Sequence, residues 1–193
     1  VPSHSYMVTL LRCVTWFLER ASGDGIELTS AGYLKPPDVE AICAILPTMV
    51  GWIGKNNREN HAHPLQDFRA SLQAMGLLRK NKGRLLITRA GAKVRSDPGA
   101  LWDYLAARLI PTGKGDFAEH SALLIVAFTA LSPNESVPFD TIARLMTELG
   151  WRQEDKSRVR GYDLYRVEGS PLPVLTNLGE APERVTYREP VHP

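Results

Sequence analysis

Residues 63–88 read HPLQDFRASLQAMGLLRKNKGRLLIT. Leu65, Phe68, Leu72 and Met75 fall three or four residues apart. That is the spacing of one helical face and predicts a helix from about Pro64 to Met75. Gly76 follows at the position where a left-handed residue ends a helix. Two apolar-rich runs, Leu77–Lys80 and Arg84–Thr88, then flank Asn81-Lys82-Gly83. Apolar runs around an Asn/Gly turn predict a β-hairpin. The cations Arg79, Lys80, Lys82 and Arg84 crowd that hairpin.

Working outward, Ser5–Ala21 has the helical pattern, with Leu10, Leu11, Val14, Phe17 and Leu18 on one stripe. Gly23-Asp24-Gly25 stops it. Ile26-Glu27-Leu28 is a short alternating strand, too small to stand alone and in need of the hairpin as partner. Asp38–Leu46 is a second helix, entered through Pro36-Pro37 and followed by Pro47. The connection 47–62 is apolar, then polar, and Trp52 and Ile53 are expected to anchor it in the core. Its polar part, Asn56-Asn57-Arg58-Glu59, is read two ways: hydrogen bonds that hold the loop, or a presented site. After the hairpin, helices are expected at Ala90–Arg95 and Pro98–Leu109, with Asp97 capping the second.

Pro111-Thr112-Gly113-Lys114-Gly115 reads as a linker between a domain at 1–110 and a smaller helical one at 116–193. In the latter, Phe117–Leu131 is so apolar over Ala122–Ala130 that central burial is expected. Pro138–Leu149 is an amphipathic helix, 152–170 is loop-like, 172–178 a short helix and 185–187 a strand. The fold class is therefore mainly α with a small β-hairpin (α+β). Ile26–Gly32 and Leu85–Gly91 echo each other, each running from a strand into Thr-x-Ala-Gly, and a shared helix-capping role for Thr29 and Thr88 explains the echo.

The order helix, short strand, helix, helix, strand, strand over 5–88 is the winged-helix order. Leu72-Gln73-Ala74-Met75-Gly76-Leu77-Leu78 resembles the helix end and wing entry of winged-helix proteins of the bacterial regulator type. Arg84-Leu85-Leu86-Ile87-Thr88-Arg89-Ala90-Gly91 resembles their wing exit. The resemblance implies a recognition helix at 64–75 and a wing at 77–88. One departure is the link of about 16 residues between the second and third helices, where a helix-turn-helix uses three or four. Gly25–Leu34 and Gly54–Glu59 resemble a group of uncharacterised actinobacterial proteins. Relatives of that group carry an N-terminal domain named for a plasmid open reading frame and linked to transposon passenger proteins. A mobile-element context is what that likeness implies. The C-terminal domain repeats helix, helix, short helix and strand, which is also the order of a degenerate second winged helix.

The net charge of +2 hides an asymmetry. Residues 1–53 carry −2, 54–96 carry +8 with ten basic and two acidic side chains, and 97–193 carry −4. A positive field concentrated in one block suits phosphate contacts. The candidate nucleic-acid contacts are Lys55, Arg58, Gln66, Arg69, Gln73, Arg79, Lys80, Lys82, Arg84 and Arg89, with the two glutamines as potential adenine readers. The bland counterpart is a hairpin kept soluble by charge.

Catalytic signals are absent. Gly113-Lys114-Gly115 lacks the phosphate-loop spacing, no Gly-x-Ser-x-Gly elbow occurs, and no carboxylates pair in an acid–base motif. His61-Ala62-His63 has no cysteine nearby and reads as loop rather than metal site. No cofactor is implied. Cys13 and Cys43 sit on apolar faces and read as buried thiols in a reducing cytoplasm, with a disulfide or reactive cysteine as the alternative. No apolar run spans a bilayer, and the first segment, bearing Arg12, reads as a helix rather than a signal peptide. The chain begins at Val1, which fits either a trimmed Met or a piece of a longer protein. The leading expectation is a non-catalytic DNA-binding protein. A protein-docking module on a winged-helix scaffold is the alternative, and an enzyme without a recognisable motif comes third.

Overall fold

The computed structural model describes residues 3–53, 55–131, 136–165 and 167–179. The first helical stretch breaks at Leu11 into α1 (His4–Leu10) and α2 (Arg12–Arg20). Ser3 caps α1, and Met7, Leu11, Val14, Phe17 and Leu18 are buried along the combined face. Strand β1 (Ile26–Glu27) leads to α3 (Pro36–Cys43) and then α4 (His63–Ala74). The hairpin follows as β2 (Leu78–Asn81) and β3 (Arg84–Ile87). The sheet is antiparallel in the order β1-β3-β2, with Ile26 opposite Leu85 and Lys80 opposite Leu85 on its other side. The isolated strand thus finds its partner at the far edge of the hairpin, where its own backbone groups would otherwise stay unpaired. Helices α5 (Arg89–Val94) and α6 (Pro98–Ala106) complete this unit.

Both expected caps at the hairpin's exit are made. Thr88 Oγ1 accepts from the Gly91 N–H at 3.0 Å and donates to the Gly76 carbonyl at 2.6 Å. Asp97 Oδ1 accepts from the Gly99 and Ala100 N–H groups. The echo between Thr29 and Thr88 does not extend to structure, which corrects the expectation of shared helix capping. Thr29 closes a turn, exchanging hydrogen bonds with Gly32 and Tyr33, and no helix begins there. Gly91 explains the difference on its side. A Cβ there would lie 2.6 Å from the Leu77 carbonyl oxygen, so only glycine lets α5 pack this close to the hairpin.

The long connection is held differently from expectation. Ile53 is 97% exposed and Trp52 is exposed at 37%, so neither anchors the loop in the core. The anchors are Met49, in a 3-10 turn at Pro47–Met49, and Glu59 and Ala62, in and after a second one at Glu59–His61. Glu59 is 1% exposed. Its Oε1 pairs with Arg69 Nε of α4 at 2.5 Å, and its Oε2 accepts from the Leu34 N–H. Its main-chain carbonyl accepts from the Gln66 side chain at 2.7 Å. Of the two readings of the Asn56–Glu59 stretch, Glu59 therefore takes the loop-holding one.

The C-terminal half has α7 (Asp116–Leu131), α8 (Phe139–Glu148), α9 (Gly161–Tyr165) and α10 (Leu172–Leu175). Helix α9 lies in the stretch expected to be loop, and the strand expected at 185–187 lies outside the described residues. Ile125, Ile142, Ala143, Met146, Val159 and Leu164 form a second apolar cluster. Helix α7 is not centrally buried as its composition suggested. Only one face packs, while Leu123 and Leu131 are 56% and 79% exposed. The segment from Leu172 to Leu178 touches both clusters, with Val174 in the first, Leu178 packed against it and Leu175 against the second. Asn177 accepts from the Thr48 N–H and hydroxyl, and the Gly179 N–H donates to the Leu10 carbonyl. The protein is thus mainly α with a small three-stranded antiparallel sheet. No helix among the described residues is long and apolar enough to cross a membrane.

Cys13 and Cys43 are free and buried, and burial pushes both thiols up to about 11. At pH 8 the native protein is expected to react far more slowly with an aromatic disulfide reagent than the urea-unfolded chain does, because the thiolate is the nucleophile. Equal native and unfolded rates would contradict the burial.

The Glu59–Arg69 pair gives a sharper test. Arg69→Met strands a buried carboxylate and is expected to cost about 3–5 kcal/mol. The double variant Glu59→Gln/Arg69→Met removes both charges but keeps an acceptor for the Leu34 N–H. Urea unfolding should show it recovering more than half of that loss. A double variant no more stable than Arg69→Met would refute the pairing.

Candidate nucleic-acid interface

The hairpin turn is a two-residue one. Asn81 pairs with Arg84, and Lys82 and Gly83 between them have φ of 46° and 73°. Two successive positive φ values make the tight turn whose twist suits flanking strands. The turn fixes the register, and the register sorts the cations. Residues paired across a ladder share a face, and neighbours along a strand alternate. Leu78, Lys80, Leu85 and Ile87 therefore share the core side of the sheet. Arg79, Asn81, Arg84 and Leu86 share the outer side, and Lys82 stands at the tip.

Lys80 thus separates from its neighbours. Its Nζ lies 3.3 Å from where a Cβ on Gly32 would stand, over the turn that Glu59 and Arg69 brace. Partial burial lowers the Lys80 pKa first, the Arg69 charge adds to this, and Glu59 opposes it. Arg84 donates to the Asp24 carbonyl at 3.0 Å and faces Glu27, which Lys35 holds at 2.7 Å. Arg79 and Lys82 carry no such tether among the described residues.

Helix α4 contributes less than its position promises. Arg69 is 6% exposed and bound to Glu59 and to the Gly32 carbonyl, so it cannot reach an external phosphate. This corrects the expectation of Arg69 as a nucleic-acid contact. Gln66 spends its amide nitrogen on the Glu59 carbonyl, so it is not a free base reader. Gln73 is half-buried. The exposed positions are His63, Asp67, Ala70 and Ala74. Partial burial raises the Asp67 pKa, with His63 opposing. The C-terminal end of α4 is flanked by the chain itself. Ser71, Ala74 and Met75 border a cavity of about 200 Å³ with Ala107, Lys114 and Gly169, and α10 packs against the helix.

Lys55, Arg58 and Arg89 are exposed, as are Lys93 and Arg95. Across 54–96, nine of the ten cations are exposed, and none of the nine has a carboxylate within 4.0 Å among the described residues. The tenth is Arg69. Of the two acids in the block, Glu59 is buried and only Asp67 faces solvent. Folding therefore leaves the positive excess intact at the surface. The sequence signal for Glu59 was faint: one of two carboxylates in a basic block, ten residues before its partner. His61 and His63 are both exposed, and among the described residues no three His, Cys, Asp or Glu side chains gather as a metal-ligand set.

No protein-family model, curated protein or solved structure matches the chain.

The turn geometry makes its own prediction. Lys82 adopts a conformation that costs most residues about 1–2 kcal/mol and asparagine less. Lys82→Asn is expected to raise the unfolding free energy by up to about 1 kcal/mol. A loss of stability in the same urea titration would contradict the turn assignment.

Proposed function

We propose that residues 4–94 form a winged helix that binds nucleic acid, duplex DNA in the first place, through phosphate contacts and without catalysis. The observation that carries this reading is the set of nine exposed cations in one 43-residue block, none with a carboxylate within 4.0 Å among the described residues. Unpaired surface cations repel one another, and the phosphate backbone supplies the missing counter-charge while releasing its own condensed ions. The element order and the β1-β3-β2 sheet agree with the winged-helix expectation. Within it, Arg79, Lys82 and Arg84 on the outer face and tip make the main contacts, with Lys55, Arg58 and Arg89 as outliers.

Base reading is a small part of this proposal. With Arg69 buried and Gln66 tied down, α4 presents two alanines, a histidine and a carboxylate. None of these forms the bidentate contacts that separate one base pair from another. Phosphate contacts position a protein on DNA but carry no sequence information. The expected behaviour is salt-sensitive binding with little preference among duplexes.

The docking alternative has one observation in its favour. Trp102, Leu105, Leu109, Val126, Ala130 and Leu178 line an almost wholly apolar groove of about 190 Å³ between α6, α7 and α10. Sedimentation across a concentration series separates the two readings, because self-association through this groove is insensitive to salt.

For the leading proposal, affinity for random-sequence duplex is measured against salt. The Arg79→Ala/Lys82→Ala/Arg84→Ala variant is expected to flatten the log–log slope by about 3, at roughly 0.9 per lost phosphate contact. A flat wild-type response, or no binding at about 50 mM salt, would overturn it.

A further inference from the structure

A second group of cations lies in the C-terminal half, in a segment whose average charge conceals it. The chain after α8 folds back on itself in a small turn. Gln153 N–H donates to the Ser157 carbonyl, Lys156 N–H donates to Gln153, and Lys156 takes a φ of 65°. This turn sets Arg152 directly opposite Arg158 in an isolated antiparallel bridge. Opposed residues put their side chains on one face with Cβ atoms about 4.5–5.5 Å apart, and like charges in that position are destabilising.

The surroundings relieve the repulsion only in part. Among the described residues no carboxylate lies within 4.0 Å of the guanidinium groups of Arg152, Arg158 or Arg160, while the Arg160 main-chain N–H donates to Asp163 at 2.8 Å and Arg144 lies 4.0 Å from Glu148. All four arginines border one open cavity of about 840 Å³ between α8 and the turn. Asp140 and Glu148 also border it, and Asp155 sits on the turn with its pKa lowered chiefly by its hydrogen bond to Ser157. Among the residues that line the cavity, four arginines stand against two carboxylates.

One of the arginines is fixed in advance. Arg152 Nη1 donates to the main-chain carbonyls of Thr147 at 2.6 Å and Trp151 at 2.7 Å. Among the described residues its Nε and Nη2 have no hydrogen-bond acceptor. The floor is also rigid. Thr147 Oγ1 accepts from the Val159 N–H at 3.2 Å, tying the returning strand to α8. Gly161 sits so close to Asp140 that a Cβ there would lie 2.7 Å from the carboxylate.

We propose that the Arg152–Arg158 pair, with Arg144 and Arg160 beside it, is a binding site for a phosphate group. A guanidinium fork matches phosphate oxygens in pairs, and several forks converging on one oxyanion turn mutual repulsion into attraction. The cavity accommodates either a small phosphorylated molecule or a stretch of phosphodiester backbone. The site uses no residue of the hairpin, and it stands or falls independently of the proposal for residues 4–94.

The test is thermal unfolding of the full chain with sodium pyrophosphate, or with a short single-stranded oligonucleotide, against sodium chloride at matched ionic strength. At about ten times its Kd, the phosphate probe is expected to raise Tm by about 3–6 °C. Arg158→Gln should abolish that shift and weaken binding at least about tenfold. Arg158→Lys keeps the charge, loses the fork and should weaken binding by less. Arg160→Gln supplies the same readout should Arg158→Gln fail to fold. Stabilisation by pyrophosphate assigns a free phosphate compound as the source. Stabilisation by the oligonucleotide alone, lost in Arg158→Gln, assigns the polynucleotide backbone. The proposal is overturned if neither probe exceeds the chloride control, or if the arginine variants respond like the wild type. It is equally overturned if Arg79→Gln/Arg84→Gln removes the pyrophosphate shift, because the ligand would then sit on the hairpin.

Discussion

The first unit depends on one buried charge pair. Glu59 and Arg69 are both nearly excluded from solvent, and between them they tie three separate segments together. Glu59 brings the long loop, Arg69 brings α4, and the Leu34 N–H and Gly32 carbonyl bring the turn after β1. A buried ion pair is a poor source of stability, since desolvation offsets most of its attraction. Its effect here is on geometry. A loop of this length has many ways to cross between two helices, and the pair leaves it one. Lys80 feels both members of the pair, so the hairpin is electrically coupled to the loop brace.

That constraint also decides what α4 has to offer. A helix that uses an arginine and a glutamine to hold its own loop has fewer groups left for a ligand. The hairpin is under no such demand. Its alternation places Leu78, Leu85 and Ile87 inward and leaves Arg79 and Arg84 outward, with a turn that carries Lys82 at the tip. In the proposed reading, the unit's hold on phosphate and its lack of base recognition have the same origin. Arg69 and Gln66, which would otherwise face a ligand, are engaged in holding the fold.

Much of this architecture could be read from residue patterns. The stripe Leu65, Phe68, Leu72 and Met75, the Asn-Lys-Gly turn and the Asp97-Pro98 helix start are local signals, each governed by neighbours within four or five residues. The errors fall where distant residues decide. Ile53 is apolar yet stands in water, while the loop is held at Met49, Glu59 and Ala62. Helix α7 is apolar nearly all round, yet among the described elements α8 is the one that packs on it closely, so Leu123 and Leu131 stay exposed. Arg69 looks like any surface arginine until its buried partner is known. Thr29 and Thr88 share a motif, and only the second has a hairpin behind it to set α5. The opposed arginines of the C-terminal half were legible as charge but not as a pair, because the register of a bridge lies outside any helical or strand periodicity.

The segment from Leu172 to Gly179 carries a consequence for how the molecule is made. Val174 and Leu178 fill the core begun by α1 and α2, and Gly179 bonds to Leu10. Chains emerge from the ribosome in order, N-terminal residues first. The core begun by the first helices must therefore wait for nearly the whole length of the described chain before Val174 completes it. Until then the side of α4 on which α10 packs is open to whatever else is nearby, and α10 acts as a late piece that seals it.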